Sequence, residues 1–136
     1  MRYIKTFESK ITQDYLEDLE DFIDANLAYL LDMGPMYSGH VIQDKFKNKI
    51  KLTIRFSVDD LTFKWNDVKD YIIPFITRLD KEYKINEIKA FCSYYRYKIG
   101  RKELISVDDI IPKEDIINDR VELKSHTLNR MEIIIE

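Results

Sequence analysis

The chain has 136 residues, a length typical of a single domain. Hydrophobic residues make up 45% of it and only 3 Gly and 3 Pro are present, so the composition excludes a disordered or low-complexity chain. The formal net charge of −3 lacks the excess of positive charge that is typical of nucleic-acid-binding domains.

Residues 12–33 predict an amphipathic helix. Thr12 is a suitable N-cap, and Gly34-Pro35 predicts the end of the helix. Apolar residues recur at helical spacing on one arc: Tyr15, Leu16, Leu19, Phe22, Ile23, Leu27 and Leu30. Acidic residues occupy the opposite arc, which we expect to be solvated: Asp14, Glu17, Asp18, Asp21 and Asp24.

The next element is a predicted strand over residues 49–58. Apolar and polar residues alternate strictly, which is typical of a strand with one buried face. The residues expected in the core are Ile50, Leu52, Ile54, Phe56 and Val58, and Lys49, Lys51 and Arg55 are expected to point outward. Residues 39–42 are the predicted hairpin partner.

A second amphipathic helix is predicted over residues 66–83, with Asn66 as its cap. Pro74 is expected to kink this helix or to delay its start. Its apolar positions are Val68, Tyr71, Ile72, Phe75, Ile76, Leu79 and Tyr83.

The rest of the chain has the patterns of strands. Residues 88–99 and 103–107 predict a hairpin that turns at Gly100-Arg101, and residues 121–124 and 128–135 predict two further strands. The element order is therefore α-β-β-α-β-β-β-β. We predict one α+β domain over residues 1–136, a mostly antiparallel sheet with two amphipathic helices packed on one face.

Charge is segregated along the chain. Residues 37–58 and 84–102 have balances of +4 and +5, whereas residues 1–36 and 103–136 each have a balance of −5. If the two basic strand regions were neighbours, Lys49, Lys51 and Arg55 would share a sheet face with some of Lys89, Arg96 and Lys98. Such a face is suited to an acidic partner, a second copy or nucleic acid. The candidate interaction surface is Asp14, Glu17, Asp18, Asp21, Asp24, Lys49, Lys51, Arg55, Arg96 and Lys98.

No catalytic or cofactor motif is found. His40, Cys92 and His126 are single residues without the spacing of a zinc site, and the glycines do not form a phosphate-binding run. We therefore expect no metal, no cofactor and no enzyme activity. One alternative is a metal-dependent nuclease, because Glu122 and Lys124 form the E-x-K pattern downstream of several aspartates: Asp108, Asp109 and Asp119.

The opening "YIKTFES" resembles the N-termini of small tailed-bacteriophage proteins, and the element order is similar to that of tail-terminator and neck proteins, which form rings of identical subunits. The resemblance implies a non-enzymatic assembly protein with itself or another protein as its partner. One alternative is a small phage inhibitor of a host or defence protein, and a further one is a nucleic-acid-binding accessory protein. No apolar run is long enough to span a membrane, so we expect the host cytoplasm, with incorporation into a virion under the assembly hypothesis.

Overall fold

The computed structural model describes residues 13–43, 48–57, 61–122 and 126–135. The helices are α1 (Gln13–Asp32), α2 (Trp65–Tyr83) and the short α3 (Lys113–Ile117). The strands are β1 (Met36–Gln43), β2 (Asn48–Arg55), β3 (Phe63–Lys64), β4 (Ile85–Lys98), β5 (Arg101–Ile110) and β6 (Thr127–Ile135). The α+β class predicted from the sequence is confirmed.

The sheet is antiparallel throughout, and its strand order is β1-β2-β6-β4-β5, with the short β3 paired to β6. The C-terminal strand therefore lies in the centre. It separates β2 from β4, so the two basic strands are not neighbours, and the condition for a shared basic face is not met. Strand order depends on pairing between distant segments: β6 pairs with β2 along one edge and with β4 along the other, whereas its alternating pattern fits several positions in an antiparallel sheet.

The helices cover one face of the sheet, and the alternating pattern of β2 is confirmed there. Ile50, Leu52, Ile54 and Phe56 are buried, although Phe56 follows the last residue of the strand, and Val58 lies outside the described residues. On α1 the predicted arc is also confirmed. Leu19, Ile23, Leu27 and Leu30 are buried, and the partly buried Tyr15, Leu16 and Phe22 pack against them.

The N-cap of helix α2 lies two residues earlier than predicted. Lys64 rather than Asn66 is the N-cap residue, and its backbone N–H donates to the Asp67 carboxylate at 2.8 Å. The early start buries Trp65, which the sequence analysis did not place in the core. The helix continues through Pro74, so this residue does not delay its start. Tyr71, expected to be buried, is exposed.

Aromatic contacts hold α1 against α2. Phe22 lies with its ring centroid 6.2 Å from that of Phe75 and 5.6 Å from that of Tyr83, and Tyr15 meets Tyr83 edge-on at 5.6 Å. Such edge and tilted pairs add about 0.5–1.5 kcal/mol each beyond the area they bury. The two helices therefore form one layer.

The segment between β5 and β6 differs from the prediction. Residues 113–117 form α3, whose Ile116 is fully buried, where only turns were expected. Val121 and Glu122, predicted to begin a strand, lie outside any strand, and the other half of that prediction, residues 123–124, lies outside the described residues. The buried Ile116 of α3 and Val121 of the following loop cover the edge of the core where a strand was predicted.

Candidate protein-interaction surface

The β4–β5 hairpin extends beyond the rest of the sheet. β6 pairs with β4 only as far as Ser93, which faces Thr127. Among the described residues, β4 pairs with β5 alone from residue 94 onward, until the hairpin closes at Lys98 and Arg101. We call residues 94–105 the ribbon. Its base is half-buried, but residues 95–104 are all exposed, so in the described part of the chain their side chains are open to solvent or to a partner.

A β-bulge marks the point where the ribbon leaves the sheet. The β4–β6 register shifts between Phe91 and Cys92, which leaves Asn129 as an extra residue on β6. The Asn129 carbonyl accepts the backbone N–H groups of Phe56 and Ser57 at 2.8 and 3.2 Å, and its side-chain Oδ1 accepts the Ser57 hydroxyl at 3.0 Å. Bulges of this kind increase the local twist and redirect a strand. These hydrogen bonds join β6 to residues 56–57, which follow β2, at the level where the ribbon leaves the sheet.

Large apolar side chains are concentrated on this hairpin. Of the nine large hydrophobic residues that are exposed in the described part of the chain, five lie on β4, β5 or their turn: Tyr95, Tyr97, Ile99, Leu104 and Ile110. Tyr97 is 77% exposed and Ile99 is 94% exposed. Single exposed apolar residues are ordinary, but a cluster on one projecting element is typical of a contact surface.

The turn of the ribbon is itself unfavourable for the isolated chain. Its two loop residues, Ile99 and Gly100, both have positive φ, 52° and 71°. A two-residue hairpin loop of this kind normally carries Asn-Gly or Asp-Gly, because β-branched residues adopt the left-handed region at a cost of about 1–2 kcal/mol. Ile99 therefore adds strain and exposed apolar area without burial in return, which favours a role in contact with a partner. The prediction that the turn lies at Gly100-Arg101 was wrong by one residue.

The ribbon is basic. It carries Arg96, Lys98, Arg101 and Lys102 against a single acid, Glu103. Arg96 lies 3.2 Å from Glu103 across the strands, and the Lys102 ammonium lies 4.2 Å from the centre of the Tyr95 ring. These contacts orient the charged side chains along the ribbon, and a net charge of +3 remains.

The structure separates the ten predicted surface residues into three places. Because alternate residues of a strand share a sheet face, Arg96 and Lys98 lie on the same face as the buried Cys92 of β4. Lys49, Lys51 and Arg55 lie on the opposite face, with β6 between the two strands. The predicted continuous basic face is therefore wrong: the two groups occupy different faces. The five acids of α1 form the third place.

On the sheet face turned away from the helices, three of the positive charges have acidic partners. The Glu132 carboxylate lies 3.7 Å from the Lys51 ammonium and 3.4 Å from Arg130 Nε. The Arg130 contact is ionic rather than an aligned hydrogen bond. Arg130 also lies 4.1 Å from the centre of the Phe91 ring, and Lys89 lies 3.4 Å from Asp108. A base could not stack on Phe91 without displacing Arg130, which weighs against a nucleic-acid platform here.

The outer face of α1 is strongly acidic. The helix contains seven acidic and no basic residues. Asp14, Glu17, Asp21 and Asp24 are exposed, as predicted, whereas Asp18, also expected to be solvated, is half-buried. Tyr29, 77% exposed, lies on the same helix. The ribbon and α1 therefore offer surfaces of opposite charge, each with an exposed tyrosine.

The residues weighed for chemistry are dispersed. Burial, and secondarily the charge of Asp109, raises the pKa of the Cys92 thiol to about 11, so it is neutral at physiological pH. His126 stacks on Tyr94 with centroids 4.6 Å apart. Within the described ranges, no three His, Cys, Asp or Glu side chains are grouped to hold a metal ion.

The residues of the nuclease alternative are likewise not assembled. Glu122 is exposed outside any strand, and Lys124 lies outside the described residues. Asp119 forms an ion pair of 2.9 Å with Lys69. Asp108 and Asp109 are consecutive on β5, so their side chains lie on opposite faces.

Four residues of the ribbon are missing from the predicted interaction surface: Tyr95, Tyr97, Ile99 and Leu104. The available signals were the length of the predicted strand over residues 88–99, which exceeds that of its neighbours, and the three tyrosines within residues 94–97 that interleave with basic residues.

Comparisons with protein-family models, with curated proteins and with solved structures give no match to this chain. None of the helices in the described ranges has the length and apolar character needed to span a membrane.

Proposed function

We propose that this chain is a non-enzymatic assembly protein of the ring-forming virion-connector type, in which copies associate through the ribbon of one and the acidic face of α1 of the next. The observation that carries the proposal is the ribbon itself. It projects from the sheet, is basic, and bears the largest group of exposed apolar side chains in the described part of the chain.

Charge complementarity supports α1 as the opposing surface. The ribbon has a net charge of +3 and α1 one of −7, and both carry exposed tyrosines. Because the two surfaces are different parts of the molecule, the contact is heterologous, and repeated use of it produces a ring or an open stack. Each exposed charge pair contributes only about 0.2–1 kcal/mol, so the exposed tyrosines and Ile99 supply the apolar burial that several charge pairs orient.

The test is light scattering after size exclusion at about 0.1 M and about 1 M salt, where the Debye length falls from about 10 Å to about 3 Å. We expect oligomers at low salt and smaller species at high salt. Reversal of Asp14, Asp18 and Asp21 to Lys should abolish assembly without unfolding the monomer.

A matched control changes net charge equally at other exposed acids, namely Asp70→Lys, Glu114→Lys and Glu122→Lys. This variant should assemble like the parent chain. If both triple variants lose assembly alike, bulk charge rather than the α1 face is responsible and the proposed contact is refuted.

A second candidate is a small inhibitor that binds a host or defence protein, and the acidic face of α1 is the observation that favours it, since acidic helices can engage basic surfaces of foreign proteins. It predicts a monomer at every salt concentration and protein concentration. That result would remove self-assembly and leave this candidate ahead.

A further inference from the structure

The outer edge of β5 is a second potential contact, distinct from the ribbon faces. Among the strands that the structure describes, β5 is the last of the sheet order, and none of its ten residues is buried. An edge strand presents alternate backbone N–H and C=O groups that no neighbouring strand pairs, and these groups can template another strand.

The two ends of β5 carry opposite charges. The strand begins with Arg101 and Lys102 and ends with Asp108 and Asp109. Charges on an edge strand normally repel a second copy. Here an antiparallel copy would place the basic end of one strand against the acidic end of the other, so the same charges would attract.

Backbone geometry limits the register of such a pair. Outward-facing groups on β5 occur at alternate residues, so an antiparallel partner must pair residues of like parity. One register of this kind places Arg101 opposite Asp109 and Lys102 opposite Asp108, with Ile105 opposite its own counterpart at the two-fold axis. The next register of like parity, with the two-fold axis at residue 106, would instead oppose Glu103 to Asp109.

We propose that β5 pairs antiparallel with β5 of a second copy about a two-fold axis at Ile105, which joins the two sheets into one. The inference rests on the proposed assembly function and specifies a further partner surface for it. The contact is isologous and closes after two copies, whereas the ribbon–α1 contact does not. Each dimer contains four cross-strand charge pairs, one on each sheet face at each end, because 101 and 109 share one face and 102 and 108 the other.

Disulfide trapping tests the register directly. In a Cys92→Ala background, single cysteines are placed at 104, 105, 106 and 107, and the proteins are oxidised with oxidised glutathione. Ile105→Cys should yield a covalent dimer, since facing residues have Cβ atoms about 4.5–5.5 Å apart, within reach of a disulfide after small adjustment. Val107→Cys is the matched control: it is equally half-buried and lies on the same face, but its counterpart would be roughly 13 Å away along the strands.

A charge exchange provides the second arm. Arg101→Asp or Asp109→Arg alone should weaken dimerisation about tenfold or more, as two cross-strand pairs per dimer become repulsive. The combined variant restores both pairs and should recover the affinity. If Arg101 acted only by binding acidic α1, the combined variant would stay weak.

The outcomes separate this inference from the proposed function. A covalent dimer at 105 but not at 107, with recovery by the charge exchange, supports strand pairing. Oligomers that persist without any cross-link at 104 to 107 refute strand pairing and leave the ribbon–α1 contact standing. Cross-linking at 104 or 106 alone refutes the register. A chain that is monomeric in every arm refutes both.

Discussion

Substitution of Ile99 by Asn should change the stability of the monomer and the association of copies in opposite directions. Ile99 is the first residue of the two-residue turn, has φ of 52° and is 94% exposed. Asn enters the left-handed region far more readily than a β-branched residue does, and Asn-Gly is a preferred pair in this loop. We expect Ile99→Asn to stabilise the monomer by about 1 kcal/mol, the lower end of the left-handed penalty. For a domain of this size that is a rise in Tm of about 4 °C.

The effect on association should have the opposite sign. Complete burial of an Ile side chain in a contact contributes about 1.5–3 kcal/mol, and loss of it weakens binding roughly tenfold to a hundredfold. Stability must be measured by thermal unfolding at high salt and low concentration, where the chain is monomeric, because association itself raises Tm. Association is measured by light scattering over a concentration series at low salt.

Ile99→Leu is the matched control, since Leu keeps the apolar area. It should retain most of the association. If Ile99→Asn raises Tm but leaves association unchanged, the side chain contacts no partner and the argument from exposure fails. If Ile99→Asn lowers Tm, the turn does not have the left-handed conformation from which the argument starts.

Three further predictions concern groups outside the ribbon. Burial alone would raise the pKa of Asp80, but hydrogen bonds from Lys113 and the Ile85 N–H, with the charges of Lys113 and Lys84, hold that pKa below its ordinary value. This contribution to stability is present above the unfolded pKa, near 4, and is lost as pH falls through the folded value. Asp80→Asn should therefore lower the free energy of unfolding, measured with denaturant, by about 1–2 kcal/mol at pH 7 and by less near pH 3. An equal loss at both pH values would contradict the lowered pKa of Asp80. The Cys92 thiol should react with a thiol reagent at pH 8 only as fast as the protein opens, and rapid labelling of folded protein would contradict its burial. Glu132→Gln should lower the free energy of unfolding by about 1–2 kcal/mol in a urea melt, because Lys51 and Arg130 lose their shared carboxylate; no change would show that the positive charges of this face need no balance.

The spacing of apolar residues correctly predicted the elements that bury only one face. α1 and β2 each pack one face, so apolar spacing alone identifies their buried residues. The same rule predicted Tyr71 to be buried and missed Trp65, because burial along α2 also depends on which neighbouring elements cover each part of the helix.

Strand order was beyond local reasoning. Nothing in the pattern of residues 127–135 states that β6 inserts between β2 and β4, because an alternating strand fits an antiparallel sheet at several positions. That insertion decides the candidate site. It places Lys51 beside Glu132, and it leaves Arg96 and Lys98 on a different face, where the ribbon and not the sheet presents them.

The features of the β4–β5 hairpin share one physical property: each is unfavourable, or at best neutral, for the isolated monomer. Exposed Tyr97 contributes little burial, Ile99 occupies a strained turn position, and the edge of β5 leaves backbone groups to solvent. Each feature becomes favourable on contact with a protein: Tyr97 and Ile99 bury apolar area there, and the edge of β5 pairs its backbone groups with another strand. A hairpin kept only for stability would favour Asn at residue 99 and polar side chains at 97 and 104. That the chain has none of these is why we place its function on this hairpin rather than on the outer sheet face, where Glu132 and Asp108 pair with three of the positive charges.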